Sequence, residues 1–135
     1  MRRLVAEARV ARVATTDPDG RPNLVPFCYV LAGDTLYSAV DDKPKTTPRV
    51  RRLDNAEARP EQIAVVIDYY EEDWPQLWWV RLRGRGRVIQ DGPEQERAHE
   101  LLWGKYPQYR DMPPLGEVLA LDIGEWRGWS WRPIE

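Results

Sequence analysis

Apolar residues recur along this chain at two spacings, and the switch between them marks out its elements. Residues 11–16, "ARVATT", alternate and carry β-branched side chains, the pattern of a half-buried strand. "DPDGRP" follows, with Pro18, Asp19 and Gly20 supplying turn chemistry, so residues 23–33, "NLVPFCYVLAG", should return antiparallel to the first strand. Pro26 marks an edge or a bulge there. Gly33 and Asp34 turn the chain again into a third strand, "TLYSAVD". Ahead of these strands, "RRLVAEA" reads as a short helix.

Helical spacing takes over after Thr47 and Pro48, a predicted N-cap and first helical residue, with Val50, Leu53 and Ala56 or Glu57 on one face. "QIAVVIDYYEEDW" then reads as a buried strand leading into a charged turn, and "QLWWVRLRGRGRVIQD" as a long strand that Gly84 and Gly86 allow to coil. Pro93 opens a second long helix whose Ala98, Leu101, Leu102 and Lys105 share a face, and Gly104 and Pro107 end it. "PQYRDMPPLG" is loop, and "EVLALDIGEWRGWSW" closes the chain as one strand or a bent pair. The pattern predicts a mainly β (α+β) fold: six to seven antiparallel strands with two to three short helices, arranged as a small barrel with helices at its ends.

The length, 135 residues, suits a single domain spanning 1–135. With 20 Lys and Arg against 22 Asp and Glu, the chain has no global basic field of the kind that drives nonspecific binding to nucleic acid or membrane. Any anion site must be local. The single Cys, Cys28, and the single His, His99, cannot build a disulfide framework or a Cys/His metal centre, so no metal is expected and a reduced, cytoplasmic setting fits. The longest apolar run, "IAVVI", falls far short of the ~20 residues that span a bilayer.

One short stretch carries concentrated charge. "DDKPKTTPRVRRL" places Lys43, Lys45, Arg49, Arg51 and Arg52 around a helix start, where unpaired backbone N–H groups and the positive end of the helix dipole favour phosphate. The competing reading is a solvated helix entrance. Arg81, Arg83, Arg85 and Arg87 lie two apart and share one face of the long strand, which is solvent, a subunit contact or a nucleic-acid stripe; the acidic surroundings favour the first two. His99 reads as solvated or capping, Cys28 as a small buried hydrophobe inside its strand, and "YYEEDW" as a charged turn. No protein nucleophile, general base or catalytic residue is identified. An organic cofactor can supply reactive atoms that the chain lacks.

The order of these motifs resembles the pyridoxamine 5′-phosphate oxidase-like split β-barrel family, with its FMN-binding split-barrel fold, and within it a branch that uses the deazaflavin coenzyme F420. The resemblance runs through "RVATTDPDGRPNLVPFCY", "LYSAVDDKPK", "RVRRLDN" and "DYYEEDWPQLWWVRLRGRGRV", with "DDKPK" and "EEDWPQLWWVR" its most specific parts. It implies a homodimer with two cofactors in grooves between subunits. It places Lys43 and Lys45 on the cofactor phosphate, with Arg49 and Arg52 nearby. Leu24, Val25, Pro26 and Phe27 would run beside the ring, and Ser38 and Ala39 along the phosphate-bearing chain. Trp79 would form a wall from the partner subunit, and Trp126 a late contact. The chain departs from the flavin-using oxidase, which carries a Ser-Arg-Lys phosphate loop and a C-terminal Arg signature, whereas this sequence has "DKPK" and ends "WRGWSWRPIE". The expected activity is hydride transfer from reduced F420 to an unsaturated or electrophilic small molecule. An FMN-dependent oxidoreductase and an F420 carrier without turnover are the alternatives, and a nucleic-acid module on the Arg81 to Arg87 stripe comes last.

Overall fold

The computed structural model describes residues 1–40, 49–113 and 116–132. Seven antiparallel strands form one sheet: β1 (Ala11–Thr16), β2 (Pro22–Phe27), β3 (Val30–Ala32), β4 (Thr35–Ala39), β5 (Ala64–Tyr69), β6 (Trp78–Ile89) and β7 (Val118–Ser130). The order across the sheet is β2-β1-β5-β6-β7-β4-β3. Strands β2 and β3, consecutive in the chain, are thus the two open edges, and the sheet curls into a barrel that is split between them. Three helices accompany it: α1 (Arg2–Glu7), α2 (Arg51–Ala58) and α3 (Pro93–Lys105).

The sequence pattern predicts one strand over residues 23–33, but two are present. The chain breaks at Cys28 and Tyr29, which lets β2 pair with β1 while β3 pairs with β4 on the opposite edge. The ring of Tyr29 is fully buried, its hydroxyl donates to the Val5 carbonyl of α1, and its backbone N–H is satisfied by the Tyr106 hydroxyl at 3.0 Å. A buried backbone group must find a partner, and these non-local partners outweigh continuation of the strand. Pro22 and Pro26 are tolerated because β2 is an edge. The first helix after the barrel hairpin also differs from expectation. It begins at Arg51, with Val50 as an N-cap that makes no side-chain bond, three residues beyond the predicted first helical position at Pro48. Thr47 and Pro48 themselves lie outside the described residues.

Alternation separates two cores. Val13, Val65, Ile67, Val80, Leu82, Leu119 and Leu121 point into the barrel, where Val5 of α1 and Leu53 and Ala56 of α2 join them. On the outside of β4 and β7, Ala98, Leu102 and Tyr106 pack with Tyr37, Ala39, Val118 and Ala120. Strand β7 serves both cores along its length because of one irregularity. Arg83 pairs with Glu125 and Gly84 with Ile123, so Gly124 is an extra residue. Before it, Leu119, Leu121 and Ile123 face the barrel; after it, Trp126 does. An added Cβ at Gly84 would lie 1.9 Å from the Asp122 carbonyl oxygen, while one at Gly124 would meet nothing within 4 Å.

This difference gives a direct test. Gly84→Ala should destabilise the fold by roughly 3 kcal/mol or more, because backbone rather than a flexible side chain must move. Gly124→Ala should cost less than about 1 kcal/mol. Urea unfolding midpoints of both variants against the parent check it, and similar values for the two would contradict the proposed backbone contact.

Candidate functional site

Four separate segments converge on a groove at the open end of the barrel. Pro26, Phe27 and Cys28 come from the end of β2, Ser38, Ala39 and Val40 from the end of β4, Val50 and Arg52 from the start of α2, and Tyr109 from the turn after α3. The volume is about 230 Å³. β2 and β4 diverge here because they lie on either side of the split, and α2 enters the gap with Leu53 in the barrel core. Gly86 permits that approach: a Cβ there would come within 3.3 Å of Ala56, and its N–H donates to the Pro60 carbonyl at 2.7 Å.

Of the residues singled out in the sequence, Pro26, Phe27, Ser38, Ala39 and Arg52 meet at this groove. Leu24 and Val25 precede it on β2. Leu24 is 66% exposed on the outer face of the sheet, and Val25 turns inward onto the barrel core. Lys43 and Lys45 lie outside the described residues. Their segment is bracketed in sequence by Val40 and Val50, both of which line the groove.

Arg49 is engaged within the chain. Its guanidinium donates through Nε and Nη2 to Glu117, at 3.1 and 2.8 Å, and through Nη1 to Asp54 at 2.7 Å and to Glu57. Burial disfavours the charge of Arg49, but the three carboxylates together outweigh it and hold its pKa above the ordinary arginine range, while the Glu117 carboxyl is held low by the same bond. Arg49 ties the approach to α2 onto the start of β7, with its guanidinium engaged by acids of this chain. Trp79 and Trp126 are remote from the groove within this chain. Trp79 stands on the outer sheet face opposite Trp129. Trp126 lies eight residues along β7 from Val118, roughly 26 Å away, with the Arg2 guanidinium 4.6 Å above its ring.

Cys28 also corrects the sequence reading. It is exposed in the break between β2 and β3 and lines the groove, because the strand that was expected to bury it ends at Phe27. Sequence reasoning missed Tyr109, Val40 and Val50 as lining residues. Tyr109 sits in a segment that carries only loop signals, and its position follows from α3 packing on β4. His99, expected to be solvated or capping, places Nε2 2.9 Å from the Gly116 carbonyl and so fastens the segment before β7.

A family model described as pyridoxamine 5′-phosphate oxidase matches residues 1–130. The chain belongs to that family. Comparison with curated proteins returns no match. Among solved structures, a conserved hypothetical protein from Mycobacterium tuberculosis superposes with a TM-score of 0.77 at 17% identity, covering 96% of this chain and 82% of that one. A FAD-binding protein from Mesorhizobium loti gives 0.72 at 19% identity, covering 94% and 89%. The FAD-binding protein from Mycobacterium smegmatis gives 0.64 at 16%, covering 94% and 88%. These similarities establish the split-barrel fold, and the pyridoxamine 5′-phosphate oxidase family includes oxidoreductases.

In this family member the arginine stripe of β6 is largely occupied by acids. Arg85 pairs with Glu61 at 3.2 Å and Arg81 loosely with Glu125 at 3.8 Å. Arg87 is held most firmly. It donates to both Glu94 oxygens at 2.8 and 2.9 Å and to both Asp122 oxygens at 2.6 and 3.0 Å. Tyr37 donates to Glu94 at 2.7 Å and Thr35 to Asp122 at 3.0 Å, completing a clamp of α3 on β4, β6 and β7. Among the described residues no group of His, Cys, Asp or Glu is arranged to hold a metal ion, and no helix is long and apolar enough to cross a membrane.

The clamp predicts an acid-sensitive stability. Arg87, and after it Tyr37, lower the Glu94 pKa to about 2, against the opposing effect of burial. A carboxyl depressed on folding contributes stability above its unfolded pKa and loses it as pH falls through the folded value. The stability gap between the parent and Glu94→Gln should therefore be full at pH 7, shrink below about pH 4.5 and close near pH 2. Urea titrations across that range check it, and a pH-independent gap would remove Glu94 from the clamp.

Proposed function

We propose that this chain is an oxidoreductase that binds coenzyme F420 in the groove at the open end of the barrel, as a homodimer, and reduces an unsaturated or electrophilic small molecule. One observation carries the reading. The segments that the family resemblance assigns to the cofactor, at Pro26 and Phe27, at Ser38 and Ala39, and at Arg52, come together in one groove despite lying up to 26 positions apart in sequence. The lysines assigned to the phosphate lie between two of its lining residues in the chain.

The residues suit an anionic, flat-ringed group. Arg52 brings a guanidinium to a helix start that has no side-chain cap, and Val50 at that cap lines the groove. Lys43 and Lys45 would add charge for a tail longer and more anionic than that of FMN. The free edge of β2 beside Pro26 and Phe27 offers backbone groups to ring heteroatoms. When bound, the deazaflavin supplies hydride; the protein binds it, orients it and limits access of water.

A volume of about 230 Å³ lies below the ~300–1,000 Å³ usual for a small-molecule site. Additional wall is needed, and a second subunit supplies it in this reading. The outer face of β2, β6 and β7 suits that contact. Leu24 and Trp129 are exposed there. Flavin is the second reading, favoured by the two solved relatives named as FAD-binding proteins.

Titration of the purified protein with F420 and FMN separately tests the cofactor. The expected result is micromolar F420 binding, weaker FMN binding, and about tenfold loss of F420 affinity on Lys45→Ala or Arg52→Gln. Failure to bind F420 at micromolar concentration, or affinity unchanged in both variants, would refute the assignment. Tight F420 binding without hydride transfer to a broad panel of acceptors would indicate a carrier. For the subunit contact, Leu24→Asp should convert a dimer to a monomer in sedimentation equilibrium; a parent protein that sediments as a monomer would overturn the homodimer.

A further inference from the structure

A second cavity, about 710 Å³ in volume, opens beside the groove and shares Cys28 and Tyr109 with it. Its chemistry differs. Tyr106 and Tyr109 meet edge to face, with centroids 5.8 Å apart and planes at 83°, and with Met112 they make a mostly aromatic and apolar wall. Met112 is 70% exposed, and its thioether can adapt to a planar guest. The polar contribution is cationic. Arg9 lines the cavity with its Nη1 donating to the Lys105 carbonyl at 2.7 Å and its guanidinium 5.9 Å from the Tyr106 ring centre.

Arg9 differs from the arginines that tie elements of the fold together. Arg2, Arg12, Arg49, Arg85 and Arg87 all have carboxylate partners, whereas Arg9 has none among the described residues. The neighbouring Lys105 ammonium lies behind the wall, 3.9 Å from the Tyr29 ring centre, buried and without a hydrogen-bond partner. Two cations without an acid beside an aromatic wall form a receptor for a single negative charge on a flat apolar body.

We infer that this cavity binds a planar aromatic or conjugated carboxylate, with the carboxylate on Arg9 and the ring system against Tyr106, Tyr109 and Met112. The lining is too apolar, and has too few cations, for a polyphosphate. The inference deepens the function proposed above and rests on that reading for one point: the shared wall at Cys28 and Tyr109 would present such a ligand to the cofactor as its acceptor. The preference for a carboxylate does not depend on it.

Cinnamate and its uncharged isostere cinnamamide are suitable probes, titrated by calorimetry into the full chain. Cinnamate should bind at least tenfold more tightly than the amide. Arg9→Gln retains a donor for the Lys105 carbonyl and should reduce cinnamate to the affinity of the amide, and Arg9→Lys should restore most of the preference. Met112→Glu, which places a negative charge in the wall, should weaken cinnamate by a larger factor than cinnamamide. Equal affinity for the two probes, no saturable binding, or a preference that survives Arg9→Gln would overturn the inference. F420 and FMN titrations of the same variants separate the two readings. Cofactor binding with no carboxylate preference sinks this pocket alone, whereas a carboxylate preference with no cofactor binding sinks the groove and leaves the pocket.

Discussion

The close approach of Gly84 to the Asp122 carbonyl is the constraint from which the rest of the architecture follows. A side chain there would overlap backbone, so only glycine lets β6 and β7 remain paired through the register shift. The extra residue, Gly124, inverts the alternation of β7. Its first half can then give Leu119 and Leu121 to the barrel and Val118 and Ala120 to α3, while its second half turns Trp126 inward. Without that inversion Trp126 would face outward, and Glu125 and Arg127 would face the barrel interior.

The same point organises the charges. Asp122, whose carbonyl meets Gly84, uses its carboxylate to hold Arg87, and Arg87 holds Glu94 at the first turn of α3. Fixing the start of α3 fixes where it ends, and the residues that follow it place Tyr106 and Tyr109 against the break between β2 and β3. Tyr106 is the pivot. Its single hydroxyl proton is shared between the carbonyls of Arg9 and Tyr29 while the oxygen accepts the Tyr29 N–H, and burial raises its pKa to about 12. Groove and cavity thus share a rigid partition, with Cys28 and Tyr109 facing both.

Positive charge is distributed between two tasks. Arg49 and Arg87 join elements to one another and are surrounded by carboxylates, which makes them poor ligands for an external anion. Arg9 and Arg52 lie at the two concave sites. Sequence proximity does not separate these roles: Arg49 and Arg52 are three positions apart. What separates them is place: Arg52 lines the groove, whereas Arg49 is drawn onto Glu117 at the start of a distant strand.

The chain itself determined the elements through local periodicity and turn chemistry: β1 at its observed bounds, α3 from Pro93, the glycine-bearing long strand and the hairpin at Asp19 and Gly20. The family resemblance assigns Pro26, Phe27, Ser38, Ala39 and Arg52 to one cofactor, and these five residues line one groove. Only the tertiary structure decided the break at Cys28 and Tyr29, the inversion at Gly124, the engagement of Arg49 and the presence of Tyr109 at the groove. Each depends on a contact between residues tens of positions apart, such as Tyr29 with Tyr106 or Arg49 with Glu117. Periodicity reports which face of an element is apolar. It carries no record of which distant side chain will satisfy a buried N–H or neutralise a guanidinium, because that is settled only when the sheet has closed.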